Sequence, residues 1–251
     1  MKFRIDAVQA EEIRGWARQT MVADPFGYFD GGDHYHIHSL YFDTPALDLF
    51  RRTGRVGRTK MRLRRYGDDD TLWFESKRKR RGVVRKRRTP IDRTTLNRYR
   101  AIETTSGTTT DTSIEPGKWF LDRLNRLGME PTVRLSYQRF ARMMDAAGPP
   151  CRLTIDRQMT ASPSRQWDVD TDTSVAGTEF GKNQILELKF NDHLPSILRQ
   201  LLRLFSIQPT GFSKYQCATA TVVSRATDPE WMATHPSSTS SPVSTTPAFG
   251  S

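Results

Sequence analysis

"RTKMRLRRYG", residues 58–67, carries a positive charge at every second position: Arg58, Lys60, Arg62 and Arg64. Thr59, Met61 and Leu63 fall between them. A β-strand sends alternate residues to opposite faces, so this stretch shows four cations on one side and a mostly apolar row on the other. Which way the cationic row points decides the fold.

The same alternation recurs along the chain. "LWFESKRK" (72–79) groups Trp73, Glu75, Lys77 and Lys79, and "GVVRKRRTPI" (82–91) aligns Val84, Lys86 and Arg88. "TVRLSYQRFARMM" (132–144) holds Arg139, and "CRLTIDRQM" (151–159) sets Arg152, Thr154 and Asp156 opposite Leu153 and Ile155. "QILELKF" (184–190) separates Glu187 and Lys189 from Leu186, Leu188 and Phe190. For one strand alone, a polar face in water and an apolar face on a core is explanation enough. Many strands share the pattern here, however, and several of the charged faces mix Glu with Lys and Arg. The sequence also holds long apolar helices that need a sheet to cover. Together these favour a closed barrel, with apolar faces outward under the helices and charged faces inward around a channel. A dry interior could not hold unpaired cations, so the channel must contain water and a polyanion. The expected architecture is α+β: an antiparallel β-barrel tunnel with a charged interior, covered by several α-helices.

The helices have local signals. In "TPALDLFRRTG", Thr44 is the expected N-cap, Pro45 the first helical residue and Gly54 the stop. "EPGKWFLDRLNRLG" places Phe120, Leu121, Leu124 and Leu127 on one stripe closed by Gly128. "LPSILRQLLRLF" repeats the device with Ile197, Leu198, Leu201, Leu202 and Phe205, and "VQAEEIRGWARQ" is a weaker helix near the start.

Charge is concentrated in one segment. The 251-residue chain has a net charge of +11, and residues 51–103 alone hold 20 Lys and Arg against 6 Asp and Glu. Such a segment calls for a polyanionic partner: nucleic acid, an acidic membrane or a phosphorylated molecule. Cys151 and Cys217 form no CxxC spacing, which excludes a disulfide framework and reads as reduced thiols in a cytoplasmic protein. The opening "MKFRIDAVQAEEIRGW" has no apolar run for a signal peptide, and no stretch approaches the roughly 20 apolar residues of a membrane span. Any membrane link would run through the basic surface or a membrane partner protein. "TTSGTTTDTS" (104–113) reads as a mobile connection. The Ser/Thr/Pro-rich stretch 224–251 reads as a disordered tail behind one domain of residues 1–223.

In order, "SLYFDT", "KMRLRRYG", "FESK", "RLTID", "LELKF" and "FSKY" resemble the VTC-type polyphosphate polymerase domain of the triphosphate tunnel metalloenzyme superfamily. The resemblance covers about residues 2–220 and implies an antiparallel tunnel decorated with helices. It also implies an ATP-dependent enzyme that adds the terminal phosphoryl group of ATP to inorganic polyphosphate, with a divalent cation, Mn²⁺ or Mg²⁺. By motif, Arg62, Arg64, Lys77, Arg139 and Lys189 would act on the reacting phosphates. Lys2, Lys60, Lys86, Arg88, Arg152, Ser213 and Lys214 would complete the phosphate site. Glu187 would hold the metal, and Glu75 is the second candidate carboxylate. Superfamily members usually open with a glutamate-rich strand ending in lysine; "MKFRID" keeps only Lys2–Phe3, which weighs against a second metal and against hydrolysis. Hydrolysis of a triphosphate and non-catalytic binding of polyphosphate or inositol phosphates stand as alternatives. Sequence-specific nucleic-acid binding is not expected, because no aromatic stacking platform interleaves with the cations. Arg78, Arg80, Arg81, Arg85 and Arg87 fall out of phase with the inner row and are expected at an outer or rim patch.

Overall fold

The computed structural model describes residues 1–25, 33–54, 56, 58–104, 116–144, 150–169 and 177–226. Strand β1 (Lys2–Ile5) is followed by helix α1 (Ala7–Thr20), β2 (Val22–Ala23), β3 (His34–Asp43), α2 (Asp48–Arg51), β4 (Thr59–Tyr66), β5 (Leu72–Arg80) and β6 (Val83–Ile91). Next come α3 (Arg93–Thr104), α4 (Lys118–Leu127), β7 (Glu130–Met143), β8 (Cys151–Pro163), β9 (Thr178–Glu179), β10 (Gln184–Phe190), α5 (Ser196–Leu204) and α6 (Lys214–Ala226). Beyond the ends of α3 and α6, the expected mobile connection and the C-terminal tail lie outside the described residues.

One antiparallel sheet runs in the order β1-β10-β8-β7-β3-β4-β5-β6, with β2 added to β7 and β9 to β8. Among the described residues no ladder joins β6 back to β1, which corrects the closed barrel expected from the sequence. The four residues of β1 all pair with β10, and β6 pairs with β5 along its whole length. Burial first, and then Lys2 of β1 and Lys86 of β6, disfavour the charged form of Lys77 on β5, so cations of both edge strands act on the same side chain.

The apolar faces point outward, under helices. Phe3, Ile5, Leu153, Ile155, Leu186 and Leu188 form one core with Ile13 of α1 and Leu198 and Leu201 of α5. Met61, Leu63 and Phe74 join a larger core with Leu96 and Tyr99 of α3 and Phe120 and Leu124 of α4. Phe74 and Phe120 stack with ring centroids 4.3 Å apart. Helix α1 begins with a capping box: Asp6 accepts from the Gln9 N–H at 2.8 Å while the Gln9 side chain reaches back to the Asp6 backbone. Helix α4 stops at Gly128, whose φ of 62° suits glycine. Among the described residues, no helix is long and apolar enough to cross a membrane, and both cysteines are free.

Three helices depart from expectation: α2 is shorter than its signals, and α3 and α6 had none read for them. Helix α2 is a single turn, Asp48–Arg51, and Thr44 sits four residues before it instead of capping a helix from Pro45. The cause is Asp43, which is fully buried. Its carboxylate accepts from the N–H groups of Thr44 and Leu49, each at 2.8 Å, and of Phe50 at 3.0 Å. It also accepts from the Tyr215 hydroxyl of α6, pinning this turn to the last helix. Helix α3 was not anticipated. Only Leu96 and Tyr99 of its described side chains are buried, too few to make a legible stripe, though Asp92 caps it by accepting from Thr95 N–H at 2.6 Å.

Removing the Asp43 carboxylate leaves four buried donors without their acceptor. Asp43→Ala is therefore expected to lower the unfolding free energy by about 3 kcal/mol, measured by urea titration.

Candidate active site: a cationic hollow

The concave face of the sheet encloses a hollow of about 1290 Å³. Strand β4 contributes Lys60, Arg62 and Arg64, at alternate positions as its sequence requires. Glu75 and Lys77 of β5 and Lys86 and Arg88 of β6 face them. Arg139 of β7, Arg152 of β8, and Glu187 and Lys189 of β10 complete the strand wall. Lys2 of β1 and Lys214 of α6 also line the hollow. Every residue read as a site residue thus meets in one space except Ser213, which stands behind the wall and accepts a hydrogen bond from Lys60 Nζ at 2.9 Å. Arg58, the first cation of the opening stretch, precedes β4 and is exposed.

The cations divide by what holds them. Arg139 forms a two-pronged pair with Asp156, Nε to Oδ1 at 2.7 Å and Nη2 to Oδ2 at 2.9 Å. Lys214 Nζ reaches the same Asp156 Oδ2 at 2.6 Å. Asp156 is fully buried, and these two cations hold its carboxyl well below the usual range against the pull of burial. Arg62 binds Glu75 at 2.5–2.6 Å and donates to the Tyr41 hydroxyl at 3.0 Å. Arg88 reaches the other Glu75 oxygen at 3.3 Å and lies 3.4 Å over the Trp73 ring. Arg152 pairs with Asp24 at 2.7 Å and donates to Tyr35. Arg64 donates to the Ser39 hydroxyl at 2.9 Å. Lys77 and Lys86 make no hydrogen bond and no ion pair among the described residues, so a phosphate can take them without breaking a contact. Planar arginines build and orient the wall, Lys2, Lys60 and Lys214 are held by Phe212, Ser213 and Asp156, and Lys77 and Lys86 are left for the ligand.

Sequence reasoning missed the tyrosines. Tyr41, Tyr66, Tyr137 and Tyr215 also line the hollow. Burial pushes Tyr137 up to about 12, and burial with the Asp43 hydrogen bond raises Tyr215 further. Tyr41 goes the other way. Burial pushes its phenol up, but Arg62, Arg64 and Lys60 outweigh that and bring it down to about 7. Lys189 is lowered to about 8, first by burial and then by Arg139, Arg152 and Arg64, with Glu187 opposing. Asp156 carried a readable signal, an acid on the same face of β8 as Arg152; Tyr41, on a strand without Lys or Arg, carried none.

A divalent cation needs hard oxygen donors, and the two glutamates differ in what they can offer. Glu75 is occupied on both oxygens by Arg62 and Arg88, and these with Arg64 outweigh burial to hold it near 2. Glu187 has only Lys189 as an ion-pair partner, 3.9 Å away, and no hydrogen bond among the described residues. No group of three acids, histidines or cysteines able to hold a metal occurs among the described residues. The donor set therefore fits an ion shared between Glu187, water and substrate phosphates, and does not fit a cage made by the protein alone.

A family model described as the VTC domain matches residues 1–223. The chain belongs to the VTC domain family. Solved structures share the fold of this VTC domain. A candidate adenylate cyclase from Bacillus halodurans is 14% identical, with a TM-score of 0.52 over 85% of this chain and 91% of that one. A candidate adenylyl cyclase from Hippeastrum, described as having a dominant triphosphatase activity, is 13% identical, with a TM-score of 0.51 over 88% and 95%. No curated protein sequence is a significant match. Family and fold agree: the chain is a VTC domain whose architecture is shared with these two structures.

The charge around Tyr41 is open to direct measurement. In ligand-free protein one tyrosinate is expected to form near pH 7, read by ultraviolet absorbance, and to be missing in Tyr41→Phe. Tripolyphosphate brings negative charge beside the phenol, disfavours the phenolate and is expected to move that titration upward.

Proposed function

We propose that this VTC domain is a polyphosphate polymerase that transfers the terminal phosphoryl group of ATP to a growing inorganic polyphosphate chain. The observation that carries the reading is the one hollow in which Lys77, Lys86 and Lys189 stand beside arginines already fixed by carboxylates, with Glu187 among them. Phosphoryl transfer needs positioning and neutralised charge more than covalent help from the protein. A terminal oxygen of the acceptor chain attacks the γ-phosphorus. The bond from that phosphorus to the bridging oxygen breaks, and the electron pair leaves with ADP.

In this reading Arg62 and Arg64 of β4 lie against the transferred group, and Lys77, Lys86 and Lys189 balance the chain phosphates. Lys2, Lys60 and Arg88 extend the same surface. Arg139 and Lys214 act through Asp156, which fixes their direction. Glu187 would hold Mn²⁺ or Mg²⁺, which supplies neutralisation of charge on the phosphate oxygens when bound. An acceptor phosphate is already an anion and needs no base, whereas a water nucleophile does. Glu75 and Asp156 are tied to cations and held too acidic for that task. Bound phosphate would return Tyr41 to its neutral form. These facts favour transfer over hydrolysis, the activity described for the Hippeastrum protein. The free thiols of Cys151 and Cys217 support a cytoplasmic setting.

Purified protein with ATP and Mn²⁺ is expected to yield ADP and long phosphate chains on a gel. Free phosphate without chains would mean hydrolysis, and binding without turnover a sensing module. Glu187→Gln is expected to lower turnover by on the order of a hundredfold or more while tripolyphosphate binding without metal survives. Full activity in that variant would remove Glu187 from the metal site.

A further inference from the structure

The β5–β6 hairpin carries more charge than the hollow uses. "KRKRRGVVRKRR", residues 77–88, has nine cations and no acid. Its inward row, Lys77, Val84, Lys86 and Arg88, lines the hollow, with Arg87 at its border. On the outer face Arg78 stands directly across from Arg85, an unfavourable pairing of like charges. Arg87 lies over the Trp119 ring of α4 at 4.4 Å, and Arg123 of the same helix donates to Ser76. Burial, and then the nearby Arg126, Arg78 and Arg87, disfavour the charge on Arg123. No ion pair reaches Arg78, Arg85, Arg123 or Arg126 among the described residues. Arg87 also borders the hollow, but Arg78, Arg85, Arg123 and Arg126 do not line it and need an anion of their own.

The tip adds a second, independent feature. Arg81 and Gly82 both have positive φ, 47° and 82°, and turn the chain tightly between the strands. Val83 follows at 61% exposed and Val84 at 41%. Residues 83–88 are exposed throughout, and β6 is the free edge of the sheet. Val84 lines the hollow, but Val83 does not, and an exposed valine beside a ribbon of cations serves no free polyphosphate or nucleic-acid chain, which would be met by charge alone. An anionic bilayer offers both counterparts: negative headgroups for the arginines and the acyl boundary for Val83.

We propose that the β5–β6 hairpin docks this domain on an anionic lipid bilayer, with Val83 entering the headgroup boundary and Arg78, Arg85 and Arg123 lying on the headgroups. Docking would hold the open edge of the hollow beside the membrane surface. The proposal stands apart from the polymerase reading and holds or falls without it.

Co-sedimentation of the full chain with phosphatidylcholine vesicles, with and without phosphatidylserine, tests it. The protein is expected to sediment with the anionic vesicles and not with the neutral ones. Val83→Asp and Arg85→Glu are each expected to weaken that binding by about tenfold or more. Tripolyphosphate affinity, read by calorimetry, is expected to stay unchanged in both variants, which also shows that they fold. No sedimentation with anionic vesicles, or equal sedimentation with neutral ones, overturns the proposal. So does a Val83→Asp variant that binds like the wild type while Arg85→Glu does not, since that surface would read charge alone.

Discussion

Cations gathered on one concave face repel one another. At about 4 Å in an effective dielectric near 20, a pair costs on the order of 4 kcal/mol. Everything in the hollow answers that repulsion. Asp156 takes Arg139 and Lys214, Glu75 takes Arg62 and Arg88, and Asp24 takes Arg152. Aromatic faces take part of the remainder: Trp73 under Arg88, Tyr66 under Arg64 and Tyr137 under Arg139 and Lys214. Relief is incomplete, and the incompleteness is useful. Charge left over on Lys77 and Lys86 would draw in the proposed polyanion, while the paired arginines keep their geometry when none is bound. Asp156 shows how strongly the frame is held, because loss of one partner from a buried pair costs about 3–5 kcal/mol.

Much of this was legible in the sequence because strand periodicity is strict. Inward cations at every second residue of β4, β5 and β6 follow from a period of two, and the helical stripes of α4 and α5 follow from a period near four. Closure was not legible. It depends on whether β1 and β6 have free ladder groups at matching positions, and a period says nothing about which strands end as neighbours. The length of α2 was hidden for a different reason. Thr44, Pro45 and Gly54 read as a complete helix frame, yet the buried Asp43 one residue upstream takes the backbone donors at Leu49 and Phe50 and sets where the turn begins. Pairings were the other blind spot. The sequence places Glu75 among cations, but only the register of β4 against β5, with Arg62 opposite Glu75, shows that its oxygens are taken.

The open seam between β1 and β6 bears on what the hollow can hold. A fully closed barrel admits a ligand only through its ends, and a long polymer would have to be threaded. Here the sheet leaves one side without a ladder, edged by Lys2 on β1 and by Lys86 and Arg88 on β6. A phosphate chain lying along that seam meets cations from both edges at once. In the proposed reading the cations of the two edges would be contacts for a linear polyanion, which a sheet zipped by hydrogen bonds across that gap would cover.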